Sequence, residues 1–152
     1  MEISILKKQQ SNKLIFFGVL LLFLGLLVGV FIPVIANPRM ALSSHLEGIT
    51  NGFFLIILGL IWNKLDLSAR WLGVIYWLSL YGTYATLIAV LLAAIFKAGI
   101  LMPIAGGQKG TPVIEGIVSF LVVSLAIGML FFCVILMIGL YKHMYSNHEG
   151  ES

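Results

Sequence analysis

The chain is 152 residues long, 61% hydrophobic and only 10% charged, with a formal net charge of +3. A soluble domain of this length could not bury so much apolar surface, so the composition indicates an integral membrane protein whose main partner is the lipid bilayer. The positive charge includes no basic run interleaved with aromatic residues, which argues against a nucleic-acid partner.

Four hydrophobic segments follow one another, at about residues 14–36, 43–62, 71–96 and 113–141. Each is close to or longer than the roughly 20 residues that cross about 30 Å of hydrocarbon as a helix. They predict an all-α fold, a single membrane domain over residues 1–152 built as an antiparallel four-helix bundle. The first segment is longer than a signal-peptide core and has no convincing A-x-A cleavage site, so we expect it to be retained.

The basic residues are unevenly distributed between the two ends of the predicted bundle. Six lie on the side shared by both termini, namely Lys7, Lys8, Lys13, Lys64, Arg70 and Lys142, and three lie on the other, namely Arg39, Lys97 and Lys109. The positive-inside rule then places both termini in the cytoplasm and makes the chain a multi-pass protein of the cell's inner (plasma) membrane.

The first predicted helix ends at the sequence ANPR, where Pro38 and Arg39 follow the apolar run. Within it, Gly25 and Gly29 form one GxxxG pair, a pattern that is typical of close helix contact rather than of chemistry.

The second predicted helix opens with the sequence SSHLEGITNGFF, residues 43–54. Ser44 and Glu47 have the spacing of a capping box, which predicts a helix N-terminus at Ser43 or Ser44. On this simplest interpretation His45 is an interfacial residue and Asn51 makes a hydrogen bond between helices.

A functional interpretation of the same stretch rests on His45 and Asn51. On a helix, His45 lies above a strip that includes Gly48 and Gly52, which leaves room beside the imidazole. A flat macrocycle could lie there with its iron bound by the histidine, and a closely packed neighbouring helix would use the same strip. Asn51 lies about two turns deeper, where an unpaired carboxamide is costly, so it is a functional candidate.

The third predicted helix is rich in aromatic residues. Counted from the loop shared with the second helix, Asn51 lies at a depth of about 18 Å and Tyr84 at about 20 Å, so the two could be level across the bundle. Trp77, Tyr81 and Tyr84 share one helix face. A polar pocket formed by Asn51 and Tyr84 and ordinary aromatic packing both remain open.

The fourth predicted helix offers weaker candidates. Glu115 would be stabilised by the helix N-terminus near the membrane surface, and Cys133 is expected to be a small apolar residue facing lipid or core. His143 and His148 fall in a polar tail and are expected to be solvated. The chain shows no zinc-ligand spacing, P-loop, dinucleotide fingerprint or Ser–His–Asp set, so hydrolytic, phosphoryl-transfer and nicotinamide chemistry have no support.

The stretch SHLEGITNGFF, followed by KLDLSARWLG, resembles the bacterial styrene oxide isomerases, which are small four-helix membrane enzymes. The shared features are an H-x5-N-G element, here His45, Asn51 and Gly52, and an A-R-x-L-G start of the third helix at residues 69–73. A loop and helix start reading GGQKGTPVIEGIVSFL also recurs, and the resemblance covers residues 43–141.

The resemblance implies a haem b-dependent isomerase. Family members look like homotrimers that hold haem b at subunit interfaces, with the histidine of the motif as axial iron ligand. The ferric iron acts as a Lewis acid on an epoxide, which rearranges to an aldehyde by a 1,2-hydride shift. By matching position, His45 would bind the iron and Asn51 would orient a hydrophobic substrate.

The third helix departs from the family pattern. Aligned from Leu72 and Gly73, the family's aspartate and tyrosine fall on Ser79 and Leu87, and neither residue keeps that chemistry. Tyr84, one turn earlier than the expected tyrosine, is our candidate for its substitute.

The sequence thus leads to one preferred function class and two alternatives. The first is a haem-dependent epoxide isomerase, with Asn51 and Tyr84 catalytic and with His45, Gly48 and Gly52 at the cofactor. The second is a haem-binding electron carrier or haem-handling protein, and the third is a cofactor-free membrane protein that acts by packing against partners.

Overall fold

The computed structural model describes residues 2–148, with side chains up to residue 145. It contains four long helices, α1 (Glu2–Phe31), α2 (Pro38–Ile61), α3 (Ala69–Phe96) and α4 (Pro112–His148). Short 3-10 turns follow the first three helices, at Ile32–Val34, Trp62–Lys64 and Pro103–Ala105. All four helices are long and apolar enough to cross a membrane, which confirms the all-α membrane fold.

Helix α1 begins and ends earlier than predicted. Its first turns include the polar start of the chain, where buried Gln10 accepts a hydrogen bond from Trp62 Nε1 at 3.1 Å and Ser11 donates to the Gly59 carbonyl at 2.8 Å. These bonds attach the start of α1 to the end of α2. The helix ends at Phe31 because Pro33 cannot donate a helical hydrogen bond and disfavours helical backbone before it.

The predicted start of α2 was wrong. Asn37 is the N-cap, its side-chain oxygen accepts from the Met40 N–H at 3.3 Å, and Pro38 occupies the first turn, where a missing N–H costs nothing. Ser44 is therefore inside the helix and not a cap. Its hydroxyl donates to the Leu87 carbonyl of α3 at 3.3 Å, so no capping box forms with Glu47.

Helix α3 matches the prediction to within two residues, whereas α4 continues beyond residue 141. His143 consequently lies within α4 and is half-buried, and the side chain of His148 lies outside the described residues. Cys133 is exposed on the surface of α4. At the start of α4, buried Glu115 accepts from the backbone N–H groups of Gly99, Ile100 and Gly110 at 3.0, 3.2 and 2.8 Å, which anchors the α3–α4 loop.

Helices α1 and α2 pack most closely, through glycines. A side-chain carbon on Gly25 would lie 2.8 Å from the backbone of Gly48, and one on Gly18 would lie 2.8 Å from the Gly52 carbonyl oxygen. This confirms the prediction that Gly25 serves helix contact. The main apolar core lies where all four helices meet, and includes Leu14, Leu21, Leu55, Leu58, Trp62, Leu72, Ile75 and Phe132.

Candidate functional site

His45 lies in the third turn of α2, on the side of that helix that faces α1. Its Nδ1 is 2.8 Å from the carbonyl oxygen of Gly25. Gly29, one turn along α1, makes room for the ring, because a side-chain carbon there would lie 2.6 Å from Nδ1 and 2.7 Å from Cε1. The second glycine of the GxxxG pair thus accommodates an imidazole, a role that the sequence pattern did not reveal.

The bond to Gly25 determines which nitrogen of His45 is available. A carbonyl oxygen only accepts, so Nδ1 carries the proton and the neutral ring keeps its lone pair on Nε2. Nε2 forms no hydrogen bond with any residue that the structure describes. Histidines that bind metals are commonly held in this way, with the other ring N–H donated to a carbonyl.

The surface around His45 is apolar and open. Leu42 and Ile49 flank it at one helical turn in each direction, and Leu26 lies one turn from Gly29 on α1. Leu42 and Leu26 are 48% and 47% exposed, so this surface is available to lipid, to a cofactor or to another subunit. Among the described residues, no group of three or more His, Cys, Asp or Glu side chains could hold a bare metal ion. A metal at His45 would therefore need most of its ligands from a macrocycle or from a second chain.

Gly48 and Gly52 do not border an open groove. Backbone atoms of Gly25 and Leu22 on α1 lie against them, and the two glycines are buried. The glycine strip could accommodate either a macrocycle or a neighbouring helix, and in the structure α1 packs against it. A macrocycle bound to His45 would therefore lie on the open apolar surface around Leu42 and Leu26.

Asn51 lies on a different face of α2. It is six residues beyond His45, which places it about 9 Å farther along the axis and about 120° around it. Its Nδ2 donates to Oε2 of Glu47 at 3.1 Å, and both side chains are half-buried. Sequence reasoning missed Glu47 as a site residue, although its spacing of four residues from Asn51 is typical of interacting helical pairs.

The pocket that Asn51 and Tyr84 could share does not form in this chain. The Tyr84 hydroxyl donates to the Phe17 carbonyl of α1 at 2.8 Å, whereas Asn51 is paired with Glu47. Tyr81 is turned toward α4, with its hydroxyl 2.6 Å from Ser124 Oγ. The two tyrosines thus contact different helices, and the expected common face is not used as one surface.

The two family positions that differ on α3 are both buried. Ser79 donates to the Tyr76 carbonyl at 2.8 Å within its own helix, and the Leu87 side chain packs into the core. Neither presents a polar group to Asn51.

A cavity of about 470 Å³ lies between α2, α3, α4 and the α3–α4 loop. Its lining is mostly apolar, with Ser43 and Thr86 as polar members. Ser43, Glu47 and Asn51 are spaced four residues apart, so they form a polar line along one face of α2 that begins at this cavity. The volume and lining suit a small hydrophobic molecule.

Comparison with known proteins adds to this geometry. The sequence profile of a family described as styrene oxide isomerase matches residues 10–141. Hydroxylaminobenzene mutase HabB of Ectopseudomonas oleovorans is 45% identical over 132 residues, which is 86% of this chain and 80% of that protein. Hydroxylaminobenzene mutase HabA of the same organism is 46% identical over 127 residues, which is 82% of this chain and 94% of that protein.

No solved structure shows a significant match. A mutase is an isomerase that moves a group within one molecule, so the predicted enzyme class is confirmed. With most of its length matched by the profile and by both relatives, the chain belongs to the styrene oxide isomerase family.

Proposed function

We propose that this protein is a membrane isomerase that converts a hydrophobic aryl hydroxylamine into an aminophenol, with haem b as cofactor. The observation that carries the proposal is the identity of 45–46% to two hydroxylaminobenzene mutases, over 80% or more of each relative. The reaction moves the hydroxyl oxygen from nitrogen to a ring carbon. The N–O bond breaks, a C–O bond forms, the ring carbon loses a proton and the nitrogen gains one, so the product is an isomer of the substrate.

The residues at His45 fit a haem. His45 would hold the haem iron through Nε2, which is unpartnered among the described residues and lies beside an open apolar surface. When bound, ferric haem supplies a Lewis acid that polarises the oxygen of the substrate. The Gly25 carbonyl holds the ring in the tautomer and orientation that leave Nε2 free.

The protein's own side chains exclude water and orient the substrate. The apolar walls of the cavity beside Ser43 keep water away from an electron-poor aromatic intermediate, which water would otherwise capture. Asn51 is the proposed orienting residue because it matches the asparagine of the family motif; it does not line this cavity but lies two turns beyond Ser43 on the same face of α2. Tyr84 supports the site through α1, because its hydroxyl is committed to the Phe17 carbonyl.

The different directions of His45 and Asn51 support a homo-oligomer. Within one subunit the two residues face away from each other around α2, so one substrate cannot easily contact both a cofactor at His45 and the carboxamide of Asn51. In a ring of subunits, such as the trimer that the family resemblance implies, His45 of one copy would face the Asn51 side of the next.

Epoxide isomerisation is a second candidate, favoured by the family profile over residues 10–141. It would use the same cofactor site to open an epoxide, and a 1,2-hydride shift would give the aldehyde. Ser79 and Leu87 stand where the family carries an aspartate and a tyrosine, so we rank this activity below the first.

The test uses purified protein in detergent or nanodiscs, kept free of oxygen because aryl hydroxylamines oxidise in air. Hydroxylaminobenzene and styrene oxide are supplied separately, and aminophenol and phenylacetaldehyde are measured by chromatography. The proposal expects aminophenol formation that His45→Ala abolishes and His143→Ala does not change. Aldehyde without aminophenol would transfer the assignment to the epoxide reaction, and failure to convert either substrate with haem bound would leave a haem carrier.

A further inference from the structure

We propose that Glu47 fixes the orientation of the Asn51 carboxamide, and that the site thereby selects substrates that donate a hydrogen bond. This inference rests on the proposed function and specifies which substrates the same site accepts. It starts from the bond between Asn51 Nδ2 and Glu47 Oε2, 3.1 Å long, in the interior of a membrane-spanning helix.

Among the described residues, Glu47 and Glu115 are the acidic side chains that are not exposed, and the two are placed differently. The Glu115 carboxylate accepts from three backbone N–H groups and anchors a loop. Among the described residues, the Glu47 side chain has Asn51 as its hydrogen-bond partner and no Lys, Arg or His as an ion-pair partner. An acidic side chain in hydrocarbon with so little compensation is costly, and the cost is consistent with a functional role.

The pairing determines what Asn51 can offer. A carboxamide has a donor end and an acceptor end of nearly the same shape, and its hydrogen-bond partners decide which way it points. The NH₂ group of Asn51 is the end that points at Glu47 and donates to its Oε2. The Asn51 carbonyl oxygen is then the end that is free to meet a substrate.

A free carbonyl oxygen discriminates between the two substrate classes of this family. An aryl hydroxylamine carries N–H and O–H groups that can donate to it, whereas an epoxide has an acceptor oxygen and no donor. With Glu47 in place, Asn51 therefore favours the hydroxylamine and opposes the epoxide. Glu47 is a positioning residue in this scheme, because it acts through Asn51.

The test measures binding, so that it does not depend on turnover. Equilibrium dialysis of labelled hydroxylaminobenzene and labelled styrene oxide is performed in nanodiscs on the His45→Ala protein, which the proposed function expects to convert neither substrate, with empty nanodiscs as the blank. Glu47→Gln keeps the size of the side chain but lets Asn51 turn around, because glutamine can donate as well as accept. The preference for hydroxylaminobenzene over styrene oxide should fall about tenfold, the value of one ordinary hydrogen bond.

Two further variants separate positioning from general damage. Thr50→Ala is the matched control, since Thr50 is exposed on the same helix and its hydroxyl bonds only the α2 backbone, at Leu46 and Glu47. It should leave both affinities unchanged. In an Asn51→Ala background, Glu47→Gln should have no further effect on the preference.

The inference is overturned if Glu47→Gln weakens both ligands equally, leaves the preference unchanged, or still shifts it when Asn51 is absent. Failure of the proposed function looks different. In that case the wild-type protein forms no aminophenol, whatever the binding preference and its dependence on Glu47.

Discussion

Gly29→Ala should weaken haem binding while leaving the bundle intact. The added methyl carbon would lie 2.6 Å from His45 Nδ1 and 2.7 Å from Cε1, so the imidazole must move. Moving it breaks the 2.8 Å bond from Nδ1 to the Gly25 carbonyl, which on the proposed function holds the ring for ligation. Loss of such a supporting bond typically lowers metal affinity about 10- to 100-fold, or about 1.4–2.7 kcal/mol.

A loss of haem affinity in Gly29→Ala could not be explained by a less stable helix. Alanine is the better helix former by about 1 kcal/mol, so the substitution by itself favours α1. Gly73→Ala is the matched control, because a side-chain carbon at that position of α3 meets nothing within 4 Å.

The assay is the Soret absorbance per protein, followed by the rate of haem transfer to an excess of apomyoglobin. We expect faster haem loss for Gly29→Ala alone. Equal haem retention in both variants, or equal loss in both, would refute the account of how His45 is held.

The remaining predictions concern the ligand, the substrate residue and two packing residues. His45→Ala should remove the Soret band or shift it, and His143→Ala should do neither; an unchanged spectrum in His45→Ala would exclude it as ligand. Asn51→Ala should keep the haem spectrum while aminophenol formation falls by roughly 10²–10³, and loss of haem together with activity would instead make Asn51 structural. Gly52→Leu should separate α1 from α2, because even a single carbon there lies 2.8 Å from Leu22; an unchanged melting temperature would contradict this packing. Glu115→Ala leaves three backbone N–H groups without their acceptor, of which that of Gly99 is buried and costs about 1–3 kcal/mol to leave unpaired; thermal unfolding in detergent should therefore shift downward by several degrees, and an unchanged transition would show that the loop is held otherwise.

Helix ends could be predicted from the sequence wherever a polar loop clearly borders the apolar segment. Helix α3 was placed to within two residues, because charged residues precede it and Lys97 and Gly99 follow it. The boundary between α1 and α2 was missed because Pro38 was interpreted as a stop. A proline is equally suited to the first turn of the next helix, and Asn37 before it supplies the cap.

The sequence selects candidate residues for the site but does not define how they are arranged. His45 and Asn51 were selected because polar groups are costly in a membrane, an argument that needs no structure. Either a neighbouring helix or a macrocycle could pack against the glycines beside them. Only the position of α1 in the structure shows that a helix does so. Which helix Tyr84 contacts depends on how α3 is rotated in the bundle, and depth counted along the sequence carries no information about rotation.

Transfer of an isotope label tests the central claim most directly. Hydroxylaminobenzene carrying ¹⁸O on nitrogen is incubated with the purified protein in unlabelled water, and the aminophenol is analysed by mass spectrometry. An isomerase that moves the hydroxyl oxygen within one molecule predicts that the product retains the label and that His45→Ala forms none of it. Unlabelled aminophenol, or no aminophenol from protein that carries its haem, would contradict the account.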